Sequence, residues 1–193
     1  LSVASFEKDK GAYWQVEVLL AGKHDTPLLD GVAEVTSVSS EPLEMRDWVT
    51  ENQAQFPPLE IGKFFIHGSH VAAKKTEGII ALEIDAGRAF GTGEHATTAC
   101  CLLALEKLHQ QQHDSTNIAD IGCGTGILAL AAQRLWPESD CIGGDMDEPS
   151  VTTAIENAEK NQLPQVKFVT AEGMRHEAIK QAAPYQLIIA NII

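Results

Sequence analysis

The stretch Asp120-Ile121-Gly122-Cys123-Gly124-Thr125-Gly126 is the strongest indication of fold in this chain. It follows the short apolar run Ile118-Ala119-Asp120-Ile121 and precedes Ile127 to Leu135, which has helical spacing. Glycines at a strand-to-helix junction permit a tight turn and let a ligand approach the backbone. The first N–H groups of the following helix have no partner within the helix and suit an anionic group. The stretch therefore predicts a binding loop for a nucleoside-type ligand.

Outward from this loop, residues 85–193 alternate between helical and strand patterns. Four strands interleaved with helices predict an α/β domain with a parallel sheet and right-handed crossovers. The expected elements are a helix at Thr97 to Leu108, strands at Ile118 to Ile121 and Cys141 to Gly144, a helix from Ser150 to Asn161 with Ser150 as its N-cap, a strand at Val166 to Val169, a helix near Arg175 to Gln181, and a strand at Leu187 to Ala190.

The first 84 residues have a different pattern. Residues 1–45 carry short alternating segments such as Tyr13 to Val18 between turn-forming residues, which predicts a small strand-containing region. Residues 46–84 are interpreted as a connector with a helical start at Asp47 and strands at Lys63 to His67 and Ile79 to Ile84. We therefore expect a smaller α+β region ahead of the α/β domain of residues 85–193.

Composition excludes several classes of protein. Apolar residues make up 44% of the 193 residues, but no apolar run approaches the roughly 18 residues of a membrane helix. The four cysteines form no C-x-x-C pair, so we expect reduced thiols, no metal site and a cytoplasmic location. The net charge of −13 disfavours a phosphate backbone as partner and suits a lysine-rich protein, although acidity also serves solubility alone. The start lacks Met and a basic leader, so we expect it to lie inside a longer natural chain.

The glycine loop is compatible with two kinds of cofactor, a dinucleotide and S-adenosylmethionine. The pattern Gly124-x-Gly126-x-x-Ala129, with Asp145 about 20 residues on, also matches a dinucleotide-binding dehydrogenase. Asp120 argues against that interpretation, because a carboxylate at the end of the strand would repel a pyrophosphate and attract an ammonium group. Asp145 would end the second strand, where a carboxylate can accept both ribose hydroxyls. The two acids favour S-adenosylmethionine.

The strand-Asp-x-Gly-x-Gly-x-Gly-helix arrangement, followed by an acid that ends the next strand, resembles the first two motifs of class I methyltransferases. The resemblance implies that Asp120, Gly122, Gly124 and Gly126 meet the methionine part of the cofactor and that Asp145 meets the ribose. It also implies that Met146 packs on the adenine and that Glu172 lies at the adenine edge. The alternatives are a solvated turn for Glu172 and ordinary packing for Met146.

A second segment narrows the family. Ala89-Phe90-Gly91-Thr92-Gly93-Glu94-His95-Ala96-Thr97-Thr98 resembles the loop ahead of the cofactor motif in the PrmA family, bacterial methyltransferases that modify the eleventh protein of the large ribosomal subunit. Further matches are Phe56-Pro57-Pro58, Gly62 to Ile66, Gly68-Ser69-His70 and Ala190-Asn191-Ile192. The resemblance implies cofactor contacts for Phe90, Thr92, Gly93 and Thr97. The alternative is a capped helix start, with His95 or Thr97 near the N-cap.

Asn191 follows the fourth strand. In related amino-group and amide methyltransferases, the Asn after this strand holds the nucleophilic nitrogen, so the resemblance implies that Asn191 is the catalytic residue and also borders the cofactor. The Asn-Pro-Pro-aromatic form of glutamine methyltransferases is absent. The alternative is an Asn that only caps a strand. We nominate no general base, because His95 is equally suited to holding its own loop.

The resemblance implies an S-adenosylmethionine-dependent enzyme that N-methylates lysine and N-terminal amino groups of that ribosomal protein, with residues 1–45 as part of a substrate-recognition region. One alternative is another class I methyltransferase, acting on a small molecule or ribosomal RNA. A cofactor-binding fragment without catalysis is the other, because the sequence stops at Ile193, before about three further strands expected of a complete fold. We therefore expect a Rossmann-like domain that is incomplete at its C-terminus.

Overall fold

The chain divides into two compact units, Leu1–Glu44 and Met45–Ile193. The computed structural model describes residues 2–8, 13–19, 57–73, 76–85 and 96–192. In the first unit, strands β1 (Ser2–Lys8) and β2 (Tyr13–Leu19) pair antiparallel, with Ser2 opposite Leu19. The helical start predicted at Asp47 lies outside the described residues.

The second unit contains a three-stranded sheet of β3 (Leu59–Ile61), β4 (Phe64–His67) and β5 (Ile80–Glu83). β3 and β4 are antiparallel, and β4 and β5 are parallel. Gly62, at a φ of +54°, makes the turn between β3 and β4, where a residue with a side chain would be strained. β4 and β5 were predicted. β3 was not, because three residues are too few to show an alternating pattern.

A second sheet of four parallel strands has the order β8-β7-β6-β9. This order confirms the predicted α/β, Rossmann-like architecture. Its elements, in chain order, are α1 (Ala96–Gln110), β6 (Asn117–Ile121), α2 (Ile127–Leu135), β7 (Asp140–Asp145), α3 (Glu148–Lys160), β8 (Lys167–Thr170), α4 (Glu177–Gln181) and β9 (Leu187–Ala190).

The predicted start of α3 at Ser150 is wrong. The helix begins at Glu148 and Asp147 is its N-cap, with the Asp147 carboxylate accepting hydrogen bonds from the Ser150 backbone N–H at 3.0 Å and the Ser150 hydroxyl at 2.7 Å. Aspartate and serine are both good N-cap residues. Pro149 does not prevent an earlier start, because a proline in the first turn lacks only an N–H that would have no partner within the helix. Ser150 is therefore the residue that is capped.

Both faces of the four-stranded sheet are buried. Successive side chains of β6 belong to two different core clusters, one on each face. Ile118 belongs to the larger core cluster, which also contains residues of α1 and α2 such as Leu102 and Leu130. Ala119 and Ile121 belong to a smaller cluster with Ile179 of α4. Because successive side chains of a strand point to opposite faces, helices cover the sheet on both sides.

The three-stranded sheet shares the larger core. Phe64, Ile66, Leu82 and Ile84 all belong to the cluster that contains Ile118 and Leu130. These connector residues are therefore packed into the α/β half. The four cysteines are free thiols. Among the described residues, no helix combines the length and apolar character needed to cross a bilayer.

Candidate cofactor-binding site

The order of strands in the parallel sheet reverses at β6. From β6 the chain adds β7 and β8 on one side and then places β9 on the other side. In open parallel sheets, ligands bind outside the carboxyl ends of the strands at the point where the order reverses. The residues that follow or end these strands are Gly122, Asp145, Ala171 and Asn191, so the predicted site residues of three strands lie along one edge.

The glycine loop is held by its own backbone and by β7. The Gly144 carbonyl accepts from the Gly122 and Cys123 N–H groups at 2.7 and 3.1 Å. Gly122, Gly124 and Gly126 have φ values of +75°, +51° and +80°, which favour glycine. A Cβ on Gly126 would also lie 2.9 Å from Cζ of Phe168. The predicted need for glycine at these positions has a backbone and a packing cause.

Asp120 lies beneath this loop and is 1% exposed. Its Oδ2 accepts from the backbone N–H of Ala129, in the first turn of α2, at 3.0 Å, and its Oδ1 has no hydrogen-bond partner among the described residues. Burial raises the pKa of Asp120 to about 7; the Ala129 hydrogen bond lowers it and the nearby Asp145 raises it further. A bound cation near Oδ1 would satisfy the orphaned oxygen, which fits the ammonium group expected there.

Asp145 ends β7 with its carboxylate fixed by two backbone groups. Oδ2 accepts from the Gly124 N–H at 2.9 Å and Oδ1 accepts from the Asp147 N–H at 3.0 Å. The side chain therefore links β7 directly to the glycine loop. Each carboxylate oxygen accepts more than one hydrogen bond, so this oriented group retains acceptor capacity for a pair of hydroxyls.

Large apolar side chains are exposed along the same edge. Met146 is 77% exposed after β7, Met174 is 43% exposed after β8, and Ile192 is 70% exposed after β9. Exposed apolar side chains at the carboxyl edge of the sheet suit contact with an apolar part of a ligand. Glu172 lies two residues after the end of β8 and forms an ion pair of 2.9 Å with Arg175. Both of these side chains are over two-thirds exposed.

Asn191 lies beside the glycine loop. Ile121 pairs with Ala190, which puts Asn191 next to Gly122, and a Cβ on Gly122 would lie 2.8 Å from Cγ1 of Ile192. The Asn191 Nδ2 donates to Oγ1 of Thr98 at 3.0 Å. This contact leaves Oδ1 as the side-chain atom for accepting a hydrogen bond from a ligand.

Thr98 was missed by the sequence analysis, which named Thr97. Thr98 is 4% exposed and shares the buried face of α1 with Leu102 and Leu105, whereas Thr97 is exposed. The spacing of these buried residues, at i, i+4 and i+7, was the available signal for the inward position. Phe90, Thr92 and Gly93 lie outside the described residues, so the cofactor contacts implied for them stay predictions. His95, which could cap α1 or hold its own loop, lies outside them too.

A parallel sheet of this order, a glycine loop after its first strand and a carboxylate that ends the second strand are all features of the class I methyltransferase fold. A crystal structure of ribosomal protein L11 methylase from Lactobacillus delbrueckii subsp. bulgaricus is similar with a TM-score of 0.60 and 25% identity, over 71% of this chain and 67% of that one.

The family model described as ribosomal protein L11 methyltransferase (PrmA) matches residues 8–193. The chain belongs to this family. The protein named ribosomal protein L11 methyltransferase in Brucella suis is 44% identical over 80% of this chain and 54% of its own length. The protein of that name in Caulobacter sp. (strain K31) is 37% identical over 100% of this chain and 66% of its own length. The chain thus spans just over half of the first relative and about two-thirds of the second.

Proposed function

We propose that this protein is an S-adenosylmethionine-dependent methyltransferase that N-methylates lysine side chains and the N-terminal amino group of ribosomal protein L11 in the cytoplasm. The single observation that carries the proposal is the placement of Asn191 next to Gly122 at the switch point of the sheet. An acceptor for an amine is thereby adjacent to the loop expected to hold the cofactor. Family membership supports the choice of substrate.

The described residues fit the cofactor in three places. The Asp120 carboxylate, with one unpartnered oxygen, suits the ammonium group of the methionine part. The Asp145 carboxylate, oriented by the Gly124 and Asp147 N–H groups, suits the ribose hydroxyls. The exposed Met146 offers an apolar surface for the adenine, with Glu172 at the same edge of the sheet.

The cofactor supplies an electrophilic methyl group on sulfur, and the protein must bring a neutral nitrogen into line with it at about 3–3.5 Å. A lysine amine, with an ordinary pKa of about 10.4, becomes a nucleophile only after it loses a proton, which desolvation at the site favours. Asn191 Oδ1 would accept one N–H of that amine and so orient its lone pair. The hydrogen bond from Asn191 Nδ2 to Thr98 Oγ1 supports this role, because it restrains the side chain and leaves Oδ1 to accept.

The overall charge supports a basic protein as substrate. A net charge of −13 attracts a lysine-rich partner and repels a phosphate backbone, so a ribosomal RNA substrate is less favoured. Residues 1–45 remain our candidate for part of the substrate-recognition region. If the protein were instead a small-molecule methyltransferase, it would bind the cofactor but not the ribosomal protein. If it were a binding module without catalysis, it would bind the cofactor and transfer no methyl group.

The cofactor assignment is tested by calorimetry with S-adenosylhomocysteine. Asp145→Ala should weaken binding by about tenfold or more, because the lost hydrogen bonds to a charged acceptor are worth roughly 1.5–3 kcal/mol. Asp140→Ala is the matched control: it removes the same charge at the exposed, amino-terminal end of the same strand and should leave affinity unchanged. Equal affinity in the Asp145 variant and the wild type would refute its ribose role.

The substrate assignment is tested by incubating the protein with labelled S-adenosylmethionine and purified ribosomal protein L11, followed by mass spectrometry of the product. Methyl groups on lysine and on the N-terminal amine are the expected result. Labelling of ribosomal RNA or of small molecules instead would support the first alternative. Cofactor binding without incorporation into any of these would support the binding module.

A further inference from the structure

Asn157 of α3 and Asn161, the C-cap of that helix, direct their side chains to the backbone at the end of β5 and just beyond it. Asn161 Oδ1 accepts from the Glu83 N–H at 2.9 Å, and its Nδ2 donates to the Glu83 carbonyl at 2.7 Å. Asn157, one turn earlier, does the same with Asp85, at 3.1 Å for both bonds. Each amide therefore pairs with the N–H and C=O of one residue, as a neighbouring strand would.

Only one of the two side chains also reaches the glycine loop. Asn157 Nδ2 donates its second hydrogen to the Thr125 carbonyl at 3.0 Å, whereas the second hydrogen of Asn161 goes to the Asn157 carbonyl within α3. Asn157 is 0% exposed and Asn161 is 5% exposed, so both are buried to a similar degree. The pair differs in one contact that bears on the candidate site.

The Asn157 amide matches the backbone groups it meets. One acceptor faces an N–H and two donors face two carbonyl oxygens, so every polar group in the contact is satisfied. A carboxylate of the same shape would place negative charge against both carbonyls. Asp85 is fixed further by Lys160, at 2.8 Å from its Oδ2, and by the Ser69 N–H, at 2.9 Å from its Oδ1. The anchor for the loop is therefore itself held rigidly.

The glycine loop needs anchors outside itself. Gly124 and Gly126 have no side chain to restrict their backbone, and their φ values of +51° and +80° are only one of several conformations open to glycine. The Asp145 carboxylate holds the Gly124 N–H on one side, and Asn157 holds the Thr125 carbonyl on the other. The N–H of the same peptide, that of Gly126, donates to the Cys123 carbonyl at 2.8 Å within the loop. Release of the second anchor would therefore remove the restraint that ties this peptide to the α3 side of the loop and weaken its fixed orientation.

We propose that Asn157 is a positioning residue for the cofactor: by holding the Thr125 carbonyl and Asp85 together, it fixes the glycine loop in the conformation that binds S-adenosylmethionine. This rests on the proposed function only in taking the loop as the cofactor site. Asn157 acts through the loop backbone and does not itself touch the reacting atoms.

The test compares Asn157→Ala with Asn161→Ala, using S-adenosylhomocysteine as the probe. Each variant loses one two-bond pairing with this segment, at Asp85 or at Glu83, and the two should lose similar stability, measured by urea unfolding. Affinity per folded molecule, measured by calorimetry at a temperature where circular dichroism shows each variant folded, should fall about tenfold for Asn157→Ala and less than twofold for Asn161→Ala. Equal affinities of the two variants would overturn the proposal.

Hydrogen exchange on the wild type gives an independent measurement if the Asn157 variant does not fold. Because coupling is reciprocal, bound S-adenosylhomocysteine should slow exchange of the Asp85 amide, which Asn157 holds, more than that of the Glu83 amide, which Asn161 holds. Equal protection of the two amides would contradict the positioning role. Failure of the wild type to bind S-adenosylhomocysteine would refute the proposed function instead, so the two failures are distinguishable.

Discussion

Asp120 shows how a strand position determines the chemistry of one carboxylate. It shares the face of β6 that carries Ile118, the face covered by α2, so its side chain points into the larger core. The first turn of α2 offers it the Ala129 N–H, which suits an anion. Burial nevertheless dominates and raises the pKa of Asp120 to about 7.

We expect this raised pKa to appear as a pH dependence of stability. The carboxyl titrates at 3.8 in the unfolded chain and at about 7 in the folded protein, so the folded state binds the extra proton between these values. The free energy of unfolding therefore falls as pH rises from about 4 to about 7, by up to about 4 kcal/mol, and this loss is complete above that range.

Asp120→Asn removes the titration and keeps an acceptor for the Ala129 N–H. Relative to the wild type, the variant should gain stability steadily between about pH 4 and about pH 7, as measured by urea unfolding without ligand. Parallel profiles for the two proteins would show that Asp120 does not titrate in this range.

Helix α3 joins both ends of the candidate site. Its N-cap Asp147 follows Asp145 by two residues and donates its backbone N–H to the Asp145 carboxylate. Its buried face, further along, carries the Asn157 contact with the glycine loop. The position of this one helix therefore affects both the Asp145 carboxylate, our proposed ribose ligand, and the glycine loop.

Two substitutions of Asp147 separate its role as the N-cap of α3 from the effect of its negative charge. Asp147→Ala should lower the free energy of unfolding by about 1 kcal/mol, because the Ser150 N–H loses its acceptor. Asp147→Asn is the control: asparagine caps as well as aspartate, so this variant should retain most of the stability despite the same loss of charge. Equal losses in the two variants would assign the effect to charge, and urea unfolding measures both.

On the scale of the whole molecule, the dominant feature is the net charge of −13. A field of this sign accelerates encounter with a basic protein and is screened within about 8–10 Å at moderate salt. Binding of a basic protein substrate and of the cofactor should therefore respond differently to salt.

We expect affinity for ribosomal protein L11 to fall several-fold when salt is raised from about 50 mM to about 300 mM, because surface attraction is screened. Affinity for S-adenosylhomocysteine should change by less than about twofold, since its proposed contacts are short-range and include the buried Asp120. Calorimetry or fluorescence titration at both salt concentrations measures the two affinities. A salt-independent interaction with the ribosomal protein would refute a role for the overall charge.

Much of the architecture was predictable because it is encoded locally. Apolar periodicity predicted α2 and β9 with the observed bounds, and the glycines at 122, 124 and 126 predicted a turn whose positive φ values require them. The local pattern of the second strand also placed Asp145 correctly at its end. The three-residue β3 and the cap at Asp147 escaped, because short segments and neighbouring good caps give too little local signal.

The α/β order, the glycine loop and the acid after the second strand could thus be predicted, since each depends on residues only a few positions apart. The position of β9 beside β6, the contact of Asn191 with Thr98 and the bridge that Asn157 makes between Asp85 and Thr125 could be found only in the folded protein. Asn191 and Thr98 are 93 residues apart in the sequence, and Asn157 is 72 residues from Asp85 and 32 from Thr125. Contacts over such separations depend on how the helices pack on the sheet, and no local pattern of residues specifies that packing.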